Sequence, residues 1–406
     1  MTVQRLRDVL VPQVLYGGAA DLPREDGCLR GDLLVRDGVV VDMVAGDGHA
    51  PRVVMPALVE AHCHLDKCHT IYRMEGIGGD LREAIAAQVE DKVLWTEDDL
   101  RTRVRQGMDE VAAAGCRLVR THVDWLEGIA PPPAWSVIAE EAAARDGLRD
   151  GLAVDRSALV GIDVLAEPGA ADAIAQVIAR TGGTLGAFVL DHAGRGQGLR
   201  AVFAAADKYG LSLDFHVDEG LADDLDGLGM IADLVIETGF QGPVLCGHCC
   251  SLMNVSGDAL DNLLERIAKA GICVTALPTT NLYLQGRGPG TPDRRGLTRL
   301  RELDAAGVPI AIASDNVADA FCPTGAHDPM AALNLAVLTG HMDPPFARWL
   351  PTITTNAARA LGRDPVLVKG ARLDDLRISA AANLPALVSG RHGAPAPITA
   401  GDLAPA

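Results

Sequence analysis

The stretch "RVVMPALVEAHCH", residues 52–64, is an apolar β-type run that closes on His62-x-His64. Val and Leu suit a pleated, half-buried backbone, and on a strand residues i and i+2 point the same way. Both imidazoles can therefore reach one point at the strand end. The residues downstream decide the kind of sheet. Residues 81–115, "LREAIAAQVEDKVLWTEDDLRTRVRQGMDEVAAAG", carry helical periodicity up to Gly115, and "CRLVRTHVDW" (116–125) is β again. Further β-type runs lie at 151–163, 184–192, 211–219, 243–250, 272–280 and 308–316, with helical runs at 134–147, 170–183, 198–210, 231–239, 259–271 and 296–307 between them. Helical runs repeatedly stop at Gly, as a C-terminal cap would.

Strict alternation of strand and helix implies a parallel sheet. Eight units spread over residues 53–363 fit an α/β fold of the (β/α)8 TIM-barrel type better than an open sheet. The flanks differ. Residues 1–52 contain a hairpin-like "GDLLVRDGVVVDMVAG" (31–46), and residues 364–406 are rich in turns, with a weak β-run at "LPALVSG" (384–390). Both ends together are expected to form a small β-sandwich beside the barrel. The Pro/Ala-rich tail "GAPAPITAGDLAPA" (393–406) is expected to be poorly ordered.

Composition narrows the functional class. With 36 Lys+Arg against 54 Asp+Glu the net charge is -18, so nucleic acid and anionic membrane surfaces are not expected partners. No run of apolar residues is long enough for a spanning helix, and the opening "MTVQRLRDVLVPQVLYGG" has no leader-like core. Nine cysteines at irregular spacing read as buried reduced thiols, and a cytoplasmic location is expected. Cys246 and Cys249 form a lone CxxC with no second pair, which favours inert packing over redox or zinc chemistry.

Reactive residues gather where a barrel keeps its active site, at the C-terminal ends of strands. His62 and His64 end the first β-run, His122 and Asp124 the second, His216, Asp218 and Glu219 the fifth, His248 the sixth, and Asp315 and Asn316 the eighth. Five of the eleven histidines fall at these ends, which scattered residues would not do. His62, His64, His216 and Asp315 are the candidate ligands of one divalent metal ion per subunit, zinc or iron, with an open position for water. Such a metal lowers the pKa of its water and supplies a hydroxide nucleophile. Glu219 is placed to shuttle a proton, His248 to polarise the nucleophile, and Asp315 to take its proton. His122 reads as hydrogen-bonded within the barrel or behind the site more readily than as catalytic, and His192 as a loop cap or a pocket-facing residue, again with a catalytic role the less favoured reading. Asp218 should point away from the site, and Cys63, Cys68 and His69 have no assigned chemistry. Asp66 and Lys67 lie in the loop above the metal, where pairing with each other is one option.

Taken together these residues resemble the amidohydrolase superfamily, and within it the cytosine deaminase-like group. "MPALVEAHCHLDK" (55–67), "VRTHVD" (119–124), "DFHVDE" (214–219) and "SDNVADAF" (314–321) are similar to its motifs for strands one, two, five and eight. "NLYLQGRGPGTPDRRGLTRLREL" (281–303) resembles the group's long segment after strand seven. The resemblance implies a mononuclear metal hydrolase with ligands His62, His64, His216 and Asp315, proton shuttle Glu219 and water-orienting base His248. In that scheme hydroxide attacks the ring carbon bearing the amino group, Glu219 protonates the adjacent ring nitrogen, and ammonia leaves.

Three departures fall at substrate-reading positions. The group's Phe-Pro-Gln run after strand three is absent from "LVGIDVLAEPG" (159–169), its second strand-eight Asp is Asn316, and its following Trp is Phe321. Gln285 is the expected remaining amide reader, with Asn316, Phe321 and Lys67 as further substrate contacts. The expected reaction is deamination of an aminopyrimidine, cytosine or a ring-substituted cytosine such as 5-methylcytosine. The alternative is release of an alkylamine from an N-substituted aminotriazine of the N-alkylammelide type. A non-catalytic metal-binding barrel is disfavoured because every expected ligand and Glu219 are present. The expected partner is a small heterocycle, with a homo-oligomer possible.

Overall fold

Residues 52–64 form two strands, not one. In a computed structural model that describes residues 3–125, 128–145 and 151–405, Arg52–Pro56 belongs to the flanking sheet, and Leu58–Cys63 opens the barrel. The apolar run is continuous because both strands are buried on both faces. Pro56 marks the break, since it ends one strand's ladder.

The barrel strands after the first are Cys116–Trp125, Ala153–Gly161, Thr184–Val189, Leu213–Val217, Val244–His248, Cys273–Ala276 and Ile310–Ile312. Each pairs in parallel with its sequence neighbour. The eighth returns to the first through a parallel bridge between Cys63 and Asp315, where the Asp315 N–H donates to the His62 carbonyl at 2.9 Å. His62 and Asp315 thus supply both the barrel's closing hydrogen bond and two of the side chains at its C-terminal end. Helices turn back to the next strand as expected; Gly271, for example, takes φ 67° at the end of Gly257–Ala270, a conformation that a Cβ would strain.

Four local expectations are corrected. The helical run 81–115 is two helices, Leu81–Lys92 and Glu97–Ala113, because Thr96 caps the second by accepting from the Asp99 N–H. The "LPALVSG" segment is helical over Leu384–Val388, capped by Asn383. Strand seven is short, and Pro278–Leu284 continues it as a helix with Pro at its start. The C-terminal tail is ordered: Ala396–Pro397 pairs with Leu376–Ser379, and Leu403–Pro405 pairs with Val3–Pro12. Of the helical run 134–147, Asp146 and Gly147 lie outside the described residues.

The flanking sheet runs in the order Ala396–Pro397, Leu376–Ser379, Arg52–Pro56, Val3–Pro12, Cys28–Arg36, Arg24–Glu25, with Val39–Val44 also on Cys28–Arg36 as the expected hairpin. Both termini therefore meet in one small β-sandwich with its own apolar core around Leu6, Leu33, Val54 and Ile378. The nine cysteines are buried and free. Among the described residues no helix is long and apolar enough to cross a membrane.

Candidate active site

The strand ends bring the scattered histidines together. His62 Nε2 lies 3.1 Å from His216 Nε2, and His216 Nε2 lies 3.2 Å from His64 Nε2. Asp315 Oδ1 is 3.5 Å from His62 Nε2 and 3.3 Å from His64 Nε2. All four side chains are buried. Ring closure places Asp315 beside His62, and Asp315 takes a left-handed φ of 65° to get there. Such strain in a non-glycine residue is typical of functional positions. Gly247 makes room for His62: a Cβ there would stand 2.9 Å from His62 Cε1.

The electrostatics suit a cation. Burial pushes the imidazoles of His64 and His216 well below their ordinary pKa, so they are neutral with free lone pairs. Against the cost of burial, His62 and His64 hold the Asp315 carboxyl well below the usual range. Neither Asp315 oxygen has a hydrogen bond of proper geometry. Three Nε2 atoms and one unpartnered carboxylate within 3.1–3.5 Å of their neighbours match the edges of a tetrahedron whose legs are about 2.0–2.1 Å. The donor set fits a divalent metal of the zinc or iron kind.

Glu219 and His248 border the same cavity as His64 and His216. Burial, reinforced by Asp315, raises the Glu219 carboxyl well above its ordinary value and favours the protonated acid. Burial lowers His248 to about 4, so its ring is neutral. Its Nδ1 lies 3.0 Å from Asn281 Oδ1, which assigns the proton to Nδ1 and leaves Nε2 unpartnered. His248 also has a positive φ, 69°.

The other expected residues divide. Lys67, Asn316 and Phe321 line the cavity. Lys67 pairs with Asp124 at 2.9 Å rather than with Asp66, and its Nζ sits 4.9 Å from the centre of the Phe321 ring. Asp66 instead accepts from the Asp124 N–H. Gln285 does not border the cavity; its Nε2 donates to the Glu219 carbonyl at 3.3 Å. His122 packs on the His62 ring at 3.9 Å between centroids, beside Asp214, and is not a cavity residue. His192 Nδ1 accepts from the Leu190 N–H and caps its own loop. Asp218 accepts from the Gly227 and Leu228 N–H groups at the start of Gly227–Thr238. Burial raises the Cys246 and Cys249 thiols well above their ordinary values, as inert packing requires.

Sequence reasoning passed over three groups. Gln88 borders the cavity from Leu81–Lys92 with both amide atoms unpartnered. Asp319 is fully buried and accepts from Asn316 Nδ2 at 2.7 Å and from the Phe321 and Cys322 N–H groups. Lys92 joins Lys67 on Asp124. The "SDNVAD" spacing points at Asp319, but nothing in a surface-like helix pattern singles out Gln88.

A sequence profile described as "Amidohydrolase family" matches residues 187–372. The pterin deaminase of Rhizobium rhizogenes is 34% identical over 375 residues, which span 89% of this chain and 84% of that protein. The chain belongs to the amidohydrolase family. Among solved structures, the 5-methylcytosine deaminase of Klebsiella pneumoniae superposes on this amidohydrolase with a TM-score of 0.76 at 24% identity, covering 95% of this chain and 94% of that one. The N-isopropylammelide isopropylaminohydrolase of Burkholderia multivorans gives 0.73 at 23% identity, covering 97% and 95%. Both share the fold, a parallel barrel with a small β-sandwich.

Proposed function

We propose that this amidohydrolase is a metal-dependent hydrolytic deaminase of an amino-substituted nitrogen heterocycle, with His62, His64, His216 and Asp315 holding one divalent ion. The observation that carries the reading is the clustering of these four side chains at the strand ends, with His64 and His216 bordering the same cavity as Glu219 and His248. A divalent ion there would bring the pKa of a water towards neutrality. His248 Nε2, with its lone pair free, orients the attacking water. Glu219 gives its proton to the ring nitrogen beside the amino-bearing carbon, and the amine leaves as ammonia after taking a second proton. Asn316 and Phe321 flank the ring, and Lys67 stays charged through Asp124.

For the substrate, support favours a fused two-ring aminopyrimidine of the pterin type over single-ring cytosine. The pterin deaminase relative spans most of the chain at 34% identity, whereas the cytosine-type structure shares the fold at 24%. The absent Phe-Pro-Gln run and Asn316 are also departures from the cytosine pattern. The test is ammonia release from pterin, cytosine, 5-methylcytosine and N-isopropylammelide with metal-loaded protein. Pterin is expected to be turned over best. Isopropylamine release would instead support the alkylamine reaction, and no release from any of them would refute deamination. Glu219→Gln should lose roughly 10²–10⁴ in kcat. Chelation should abolish turnover, and added zinc or iron should restore it.

A further inference from the structure

The helix Leu81–Lys92 stands over the strand ends and presents Leu81, Ile85, Gln88, Val89 and Lys92 to the cavity. Their spacing of four, three, one and three residues puts them on one helical face. Within this mostly apolar wall Gln88 stands out. The residue is 2% exposed, and neither its Oε1 nor its Nε2 has a hydrogen-bond partner. Buried amides are almost always paired, because an unmade pair loses the hydrogen bonds that water would supply. An apolar residue at this position would pack without that cost. A buried, unpaired amide bordering a cavity is therefore a group whose partner arrives with the ligand.

The rest of the lining offers no substitute. Leu159, Phe188 and Phe321 are apolar, Lys67 and Lys92 are paired with Asp124, and Asn316 Nδ2 donates to Asp319. Gln285, the amide expected from the sequence, is turned away onto the Glu219 carbonyl. A glutamine amide carries a donor and an acceptor side by side. Its complement is a ring edge with C=O next to N–H, a lactam.

We propose that Gln88 is the specificity residue of the site: its Nε2 donates to a ring carbonyl, its Oε1 accepts from the adjacent ring N–H, and the site thereby selects lactam-bearing amino-heterocycles. This rests on the deaminase reading for the place of the reacting carbon. The role is one of binding, so removal should act on KM more than on kcat, and it should not cost the free protein stability.

The experiment uses Gln88→Leu, which keeps the bulk of the side chain and removes both polar atoms. Ligands are pterin and 2-aminopteridine, which differ by the lactam, together with the dioxo product of pterin, pteridine-2,4-dione. Wild-type protein should prefer pterin over 2-aminopteridine by roughly 10- to 100-fold in kcat/KM. In Gln88→Leu that ratio should fall towards one, through a raised KM for pterin alone. Calorimetry should show the dione binding at least about 10-fold more weakly to the variant, while the melting temperature of the free variant is equal or higher. An unchanged ratio with unchanged dione affinity would overturn the proposal, and so would a lowered melting temperature with the ratio intact, which would mark Gln88 as a structural group. A wild-type protein that binds the dione through Gln88 but releases no ammonia would refute the deaminase reading and leave this inference standing. One that does not bind the dione at all would overturn the inference itself.

Discussion

At Asp319 one carboxylate decides how the substrate wall is presented. Its Oδ1 accepts from the Phe321 and Cys322 N–H groups and its Oδ2 from Asn316 Nδ2. It therefore orients two of the wall residues without itself bordering the cavity. Asp319→Asn must put an NH2 against either the backbone donors or Asn316, a donor facing a donor. The expected cost is about 1–3 kcal/mol of stability, together with a KM that rises more than kcat falls, measured by denaturation and by steady-state kinetics. Equal KM in the variant would show that Asn316 does not meet the substrate. Legibility followed the same line between residues. His62, His64, His216 and Asp315 could be read from the sequence because strand periodicity and the strand-end rule fix where such side chains go. Asp319 could be read only as a neighbour of Asn316, since its role depends on a loop that folds back on itself. Gln88 could not be read at all: on a helix flanked by Glu, Asp and Lys it looks like a solvent-facing residue until the helix is placed over the barrel.

At the scale of elements, a cluster away from the cavity ties three of them together. His69 in the loop after the first barrel strand and His327 after the last both meet Glu110 on Glu97–Ala113, at 3.1 and 3.0 Å to the same oxygen. His69 holds a left-handed φ of 61°, and its N–H donates to the Val317 carbonyl. The loops that follow the first and last barrel strands, downstream of the proposed ligands His62, His64 and Asp315, are thus fastened to one helix. Against the cost of partial burial, hydrogen bonds from His327 and Gln106 hold the Glu110 carboxyl at about 2. Because this folded value lies below the ordinary one, the stabilisation is complete above about pH 4.5 and is lost as pH falls towards 2. Glu110→Gln should therefore be less stable than wild type at pH 7, and the gap in urea midpoint should narrow as pH drops through that window. A gap that stays constant with pH would show that the carboxylate charge is not what fastens the loops. The cluster was invisible to sequence reasoning, because its members lie 41 and 217 residues apart and none sits at a strand end. The neighbouring helix break at Thr96 was legible in principle, as a capping Thr followed by three acidic residues, but the continuous helical periodicity on both sides concealed it.

For the whole molecule, alternation of strands and helices was enough to specify the barrel, since parallel pairing leaves no other short connection. The ends were harder. Short strands with Pro and Gly carry little pattern, and the tail's pairing with Val3–Pro12 joins residues at opposite ends of the chain. That pairing makes the C-terminus part of the fold. It adds the bridges Gln4–Pro405, Arg5–Ala404 and Leu6–Leu403, the ion pair of Arg52 with Asp402 at 2.6 Å, and Ile398 in the small core. Ending the chain after Arg391 removes all of these and leaves the edge of Val3–Pro12 open to other strands. The barrel strands that carry the proposed ligands His62, His64 and His216 pack on a separate, larger core and keep their pairing. The shortened protein should therefore melt several degrees lower and self-associate at high concentration, yet bind the same one metal ion per chain. Calorimetry, light scattering and metal analysis distinguish the outcomes. An unchanged melting temperature would show that the terminal pairing adds nothing to the sandwich, and loss of the metal would show that sandwich and barrel fold as one unit, with Arg52–Pro56 running straight into Leu58–Cys63 as the physical link.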